Sequence, residues 1–342
     1  MLDVVGKRGW YFLFSALIIL PGMISLIMPS GWLTLDSGLK AGIDFTSGSV
    51  LTVTFHDPVD QVDIQERMNE LGHSEALIQR LGSRNYFIRT SLLDDPDRPG
   101  SGPSKPECIE QGLSERECIE QDLEKFLGLQ RGRVEFESVS PIVAGETVRF
   151  TFYAVAAASV FIMLYVWYAF RRVPKAYRFG VSAILALVHD LVFILGVFSI
   201  LGKTMDMEVN SMFIVGLLIV AGYSVNDTIV VFDRIRENVI RHPDRALGPV
   251  VNLSIIETVG RSLNTSCTTL FVLLAMLLIG GPSIRGLLLV VAIGVVVGTY
   301  SSIFIASQFL VIWDRGEIGR VFRLGRRGPA SAASALLHLF GK

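Results

Sequence analysis

Six runs of about twenty apolar residues, near 10–28, 148–170, 179–201, 210–232, 262–280 and 286–312, are each long enough to cross a bilayer core as a helix. They constrain the chain more than any motif does, because a soluble fold has nowhere to put six such segments. Composition agrees: the 342 residues are 51% hydrophobic and only 18% charged, with a mean hydropathy of +0.50. An ordinary soluble globule is excluded, and a six-helix membrane protein is expected.

Basic residues set the expected orientation, since cytoplasmic loops retain Lys and Arg. They cluster at Lys7 and Arg8, between 171 and 178, between 234 and 245, and from Arg315 to Arg327. The connections 202–209 and 281–285 carry one base each, Lys203 and Arg285. Both termini, 1–9 and 313–342, and the connection 233–261 are therefore expected in the cytoplasm. Segment 29–147 is expected outside. Residues 30–140 hold 20 of the 32 acids and 11 of the 31 bases, so the net charge of −1 conceals an acidic exterior and a basic interior. The basic face suits anionic lipid. It is too dispersed over short loops to be a nucleic-acid site.

The first run has a basic start like a signal peptide, but "PSGWLTLDSG" follows it with no small-x-small site. It is expected to be an uncleaved anchor, interrupted at Pro21. Cys108 and Cys118 lie in the outer segment, where a disulfide is permitted. On one continuous helix they would be separated by a rise of about 15 Å; a bend at Gly112 would let them bond, and two free thiols are the alternative. Cys267, inside a span, is expected to be packing.

The outer segment alternates strand and helix patterns. "SVLTVTF" (49–55), "EALIQRL" (75–81), "RNYFIRTSL" (84–92) and "RVEFESVSP" (133–141) read as strands. The stretches 59–72 and 115–128 read as amphipathic helices, the first closed by Gly72. The order βαββαβ predicts an α+β, ferredoxin-like domain. A Pro-, Gly- and Ser-rich stretch near 94–112 reads as a mobile insertion. It holds one half of a small echo, "ECIEQGL" against "ECIEQDL", which is too little for a repeat protein.

Charge at membrane depth costs at least about 2.5 kcal/mol near a helix centre, so each instance needs a partner or a task. Asp227 lies in the fourth span, with Tyr223 and Ser224 one turn back on the same face and Asn226 on the adjacent face. The fifth span opens "RSLNTSCTTLF", where Arg261, Asn264, Thr265, Thr268 and Thr269 draw a polar stripe at helical spacing. That stripe is expected to face protein or water, with Asp227 and Arg261 near enough for a direct or water-mediated pair. Glu257, four residues before Arg261, offers that arginine a partner of its own. His189 and Asp190 in the third span read either as a proton relay or as a polar knot between helices. Cys and His are not at ligand spacing, so no metal is expected.

With these residues quoted, "GYSVNDTIVVFDRIREN" followed by "RSLNTSCTTLF" closely resembles the fourth and fifth spans of SecF-type subunits. These belong to the SecD/SecF protein-export family of the resistance-nodulation-division superfamily. "GIDFTSGSV" (42–50) looks like that family's G-x-D-F-x-G-G signature through Gly42, Asp44, Phe45 and Gly48, and "ALVHDL" matches its third span. Ser47 stands where the first Gly of the signature pair is usual. The resemblance implies a subunit paired with SecD, assisting the SecYEG channel, with YajC and YidC as further partners and unfolded preprotein on the outer side. It implies no enzymatic activity and no cofactor. Protons are the coupling ion, and Asp227 and Arg261 are the proton-coupling residues. A small-molecule permease of the superfamily would carry about twice as many spans, and an intramembrane enzyme at His189 and Asp190 lacks a nucleophile. The sequence does not exclude a passive scaffold.

Overall fold

The computed structural model describes residues 3–27, 38–93, 114–171, 173, 175–205, 207–280 and 282–316. Cys108, the whole of the 94–112 insertion and the tail beyond residue 316 lie outside them. The chain divides into two compact units, Ala41–Phe152 and a second made of Met1–Lys40 with Tyr153–Lys342.

The smaller unit begins with a one-turn helix that the sequence did not announce, α1 (Ile43–Thr46). Strand β1 (Gly48–Thr54), helix α2 (Gln61–Glu70), strands β2 (Leu77–Arg80) and β3 (Asn85–Thr90), helix α3 (Glu115–Leu127) and strand β4 (Glu135–Val139) follow. The sheet order is β2-β3-β1-β4, all antiparallel, with Leu51 opposite Ile88 on one side and Phe136 on the other. Leu51, Val53, Phe55, Tyr86 and Ile88 pack with Ile64 and Met68 of α2 and Ile119 and Leu123 of α3. Each such side chain contributes about 1.5–3 kcal/mol by leaving water. Local chemistry ends the helices where the core needs them to end. Ser114 and Glu117 form a capping box at the start of α3, and Gly128 closes it at φ 69°. Arg67 grips Asp122 through two hydrogen bonds of 2.9 and 2.8 Å, tying α2 to α3. Cys118 is buried and disulfide-bonded.

Among the described residues, the larger unit holds six helices long and apolar enough to span a membrane. They are M1 (Arg8–Ile27), M2 (Pro141–Ala169), M3 (Tyr177–Met205), M4 (Ser211–Arg241), M5 (Leu247–Ile279) and M6 (Ile284–Asp314). M2 starts within the smaller unit's residues. Pro21 does not interrupt M1, which continues through it; in lipid, neighbouring helices re-satisfy the carbonyl that a proline frees. The expected connection 233–261 is mostly helix, because M4 runs to Arg241 and M5 begins at Leu247. Polar residues end an apolar run without ending a helix.

Small residues bring these helices together, as lipid supplies no hydrophobic drive between them. Gly22 of M1 meets Gly196 of M3 so closely that a Cβ on Gly22 would lie 2.7 Å from the Gly196 Cα. Along M6, a Cβ on Gly294 would lie 2.1 Å from a Val220 methyl, and one on Gly298 would lie 3.1 Å from the Ser224 Cβ. M6 is the most buried helix and M2 the least. M6 also contains one stretch of π-helix, Ser302–Ala306.

Candidate functional site

Two carboxylates are buried where M3, M4 and M6 meet, and their surroundings differ. Asp190 of M3 is fully buried. Its Oδ1 accepts from His189 Nδ1 at 2.9 Å, and its Oδ2 accepts from Ser224 of M4 at 2.5 Å and Ser301 of M6 at 2.7 Å. The other ring nitrogen of His189, Nε2, shares a hydrogen bond with the Ser15 hydroxyl of M1, 2.5 Å away. Four helices are thus tied through one carboxylate whose oxygens are well supplied with donors.

Asp227 of M4 is 2% exposed and touches a sparser network. Thr299 of M6 lies 3.2 Å from its Oδ2, but the same hydroxyl is 2.8 Å from its own helix's Val295 carbonyl. One proton serves two acceptors, so the donor can turn toward the carboxylate or away from it. Ser266 of M5 also reaches the Asp227 carboxylate, and its hydroxyl is 2.5 Å from Thr299 and 2.9 Å from the Ser262 carbonyl, repeating the choice. The Tyr223 hydroxyl reaches Ser266 and Thr269 at 3.5 Å. One turn along, Thr228 and Ser302 are 2.8 Å apart, beside the π-helical stretch of M6. π-turns inside long helices recur at functional sites. Among the described residues no ion pair reaches Asp227.

Arg261 is elsewhere. It lines a polar cleft of about 240 Å³ with Asp233, Arg234, Glu237, Glu257 and Thr258. Glu257 is taken by Arg234 at 2.6 Å and Asn238 at 2.8 Å, which corrects the expected Glu257–Arg261 pair. The expected direct pair of Asp227 with Arg261 is likewise absent among the described residues: the carboxylate faces M6 and the arginine faces the cleft.

Residues 119–316 match the family described as protein export membrane protein SecD/SecF, C-terminal. The protein translocase subunit SecF of Thermobaculum terrenum is 39% identical over 337 residues, 98% of this chain and all of that one. The chain belongs to the SecD/SecF family. SecF of Anaerolinea thermophila is 34% identical over 97% of this chain and all of its own length. The crystal structure of SecDF from Thermus thermophilus, a translocon-associated membrane protein, superposes with a TM-score of 0.73 at 30% identity. It is matched over 92% of this chain and 39% of its own. Family membership and six apolar helices make this a multi-pass membrane protein of the bacterial inner membrane.

Other residues singled out from sequence fall in several places. Ser224 serves Asp190 rather than Asp227, because three residues along a helix turn a side chain by about 60°. Asn226, Asn264, Thr265 and Thr268 are exposed on the outer surface of the bundle, and Thr269 is half-buried. The threonines satisfy themselves by donating to carbonyls one turn back, as Thr265 does to Arg261 at 3.1 Å. The inward polar stripe of M5 is a different one, Ser254, Thr258, Ser262 and Ser266, all buried at a spacing of four. Sequence reading passed over it, although four hydroxyls on one face are a legible signal. Cys267 is exposed, not packing.

The family signature forms the α1 turn and the start of β1. Gly42 caps α1, and Arg89 of β3 holds it from outside by donating to the Ala41 carbonyl at 2.9 Å and to Thr46 at 2.5 Å. Gly48 has φ 127°, and Ser47 sits at φ 65°, ψ 168°. Only glycine adopts that second conformation freely. Here a serine holds that conformation.

Proposed function

We propose that the chain is the SecF-type half of a proton-driven export accessory, with Asp227 as the carboxylate whose protonation is linked to helix movement. The observation that carries this is the pairing of burial with weak commitment: Asp227 is 2% exposed, joined by no ion pair among the described residues, and met by two hydroxyls, Thr299 and Ser266, each with an alternative acceptor. An ionised carboxylate there is costly unless water or a donor reaches it, so its charge state and the packing of M4 against M6 depend on one another. Arg261, in its polar cleft beside Thr258, is the proposed exchange point with solvent.

SecD is the proposed partner. The SecDF chains of Bacillus subtilis and Thermus are longer than this chain, which spans 38% and 39% of them, and SecD and SecF are joined in their names. The exposed amides of Asn226 and Asn264 fit a second helical subunit better than lipid, where an unpaired amide is costly. The proposal extends to a SecYEG-bound assembly with both termini cytoplasmic. The smaller unit is then a ferredoxin-like domain outside, engaging emerging preprotein; YajC and YidC are further proposed partners. No catalysed bond change is involved, and protons are the only coupling species.

In inverted membrane vesicles, Asp227→Asn is expected to leave membrane level and SecD co-purification unchanged and to remove the gradient-dependent part of preprotein translocation. A full gradient response in that variant would leave a passive scaffold as the better reading.

A further inference from the structure

At one end of the membrane unit, a cleft of about 300 Å³ is lined by Tyr168 and Ala169 at the end of M2, Arg171 just beyond it, and Arg236 and Ile240 near the end of M4. Its depth in a bilayer is marked by an aromatic girdle. Trp167, Tyr168 and Tyr177 are each at least half exposed, and Tyr177 meets Trp313 edge-on at 5.8 Å. Tryptophan and tyrosine collect at the headgroup level, where one part of the ring is wet and the rest is in hydrocarbon.

The two arginines have different tasks. Arg236 is held in place: its Nη1 donates to the Ala169 carbonyl at 3.4 Å, its Nη2 pairs with Asp233 at 2.6 Å, and its guanidinium lies over the Phe170 ring. Arg171 is exposed and stacks over the Tyr168 ring at 4.1 Å. Among the described residues no hydrogen bond or ion pair takes its side-chain donors. A guanidinium braced on an aromatic face, with its N–H groups uncommitted, is well disposed to take two oxygens of a phosphate at once. The Tyr168 ring and Ile240, 62% exposed, supply apolar walls. The Asp233 carboxylate is paired with Arg236 and leaves Arg171 unmatched, so the cleft is net positive and offers little to an ammonium.

We propose that this cleft is a binding site for the phosphate of an anionic phospholipid, with Arg171 as the principal ligand and Arg236 as the fixed second charge. The glycerol-linked chains would lie along the outer face of M2, where Phe161, Leu164 and Tyr165 are exposed. A phosphatidylglycerol headgroup fits. A phosphatidylcholine headgroup would place its quaternary ammonium against the arginines.

Native mass spectrometry of the full chain in detergent, with phosphatidylglycerol and phosphatidylcholine of identical acyl chains, tests the site. One phosphatidylglycerol should be retained preferentially. Arg171→Gln should weaken that preference about fivefold, the effect of one basic residue at an anionic headgroup, while Arg171→Lys keeps part of it. Arg241→Gln, a basic residue of the same helix end outside the cleft, should change nothing. Equal retention of the two lipids, or an undiminished preference in an Arg171→Gln, Arg236→Gln double variant, would overturn the proposal. So would stabilisation by inorganic phosphate equal to that by phosphatidylglycerol micelles, because the occupant would then be a free anion.

Discussion

The Thr299 hydroxyl lies 3.2 Å from Asp227 Oδ2 and 2.8 Å from the Val295 carbonyl, so M6 can offer the buried carboxylate a donor or withhold it. Two residues further on, Ser301 donates to Asp190. One helix therefore serves two carboxylates, one held from several sides and the other held loosely.

Thr299→Val keeps the shape of the side chain and removes the donor. It is expected to cut gradient-driven translocation several-fold, in keeping with about 1–3 kcal/mol for a buried group left without its partner. Thr299→Ser should retain most activity. Translocation assays with and without an uncoupler check both variants.

Asp190→Asn should act on stability. It exchanges a carboxylate bonded to His189, Ser224 and Ser301 for an amide that cannot accept from all of them, at an expected cost of about 1–3 kcal/mol. The melting temperature of the detergent-solubilised protein should fall clearly for Asp190→Asn and little for Asp227→Asn.

Ser47→Gly should stabilise the smaller unit. Serine at φ 65°, ψ 168° carries a backbone cost of about 1–3 kcal/mol that glycine avoids. Gly48→Ala should do the reverse, since its Cβ would lie 2.8 Å from the Thr90 carbonyl oxygen at φ 127°. Hydrogen exchange of peptides covering β1 and β3 should slow in the first variant and quicken in the second.

Glu75 predicts an acid limb of stability. Burial would raise its pKa, but its own backbone N–H, the Thr90 and Ser91 hydroxyls and the Ser91 N–H outweigh burial and hold it at about 2, against an ordinary 4.5. A carboxyl with a depressed folded-state pKa stabilises fully above its unfolded value and loses that contribution as pH falls from about 4.5 toward about 2. The side chain is about half exposed, so screening keeps the effect modest. Urea midpoints of wild type and Glu75→Gln should differ by a constant amount from pH 7 to 5 and converge below pH 4.

What could be read from sequence follows from what each environment penalises. Asp227 stood out because a carboxylate in an apolar run is costly wherever it points. Thr299 did not, because a threonine in a membrane helix satisfies its own hydroxyl and reads as packing. On M5 the stripe from Arg261 to Thr269 is the conspicuous one, since it carries a charge, while Ser254, Thr258, Ser262 and Ser266 form the buried one. Both repeat at helical spacing, and in lipid the outside of a bundle is as apolar as its inside, so periodicity does not say which face is buried. The smaller unit was easier, because water enforces alternation on its strands and rewards caps such as Ser114. Ser47 shows the limit of reading by residue type: the turn has a glycine conformation without a glycine there.

The central claim is that Asp227 changes protonation as the helices move, whereas Asp190 does not. Membrane vesicles can be treated with a hydrophobic carbodiimide, which adds to protonated carboxyls, with the proton gradient present or collapsed, and the adducts located by peptide mass spectrometry. Labelling of Asp227 that changes with the gradient, with Asp190 unlabelled in both conditions, is the expected result. Labelling of Asp227 that is indifferent to the gradient, or gradient-dependent labelling of Asp190 instead, would contradict it.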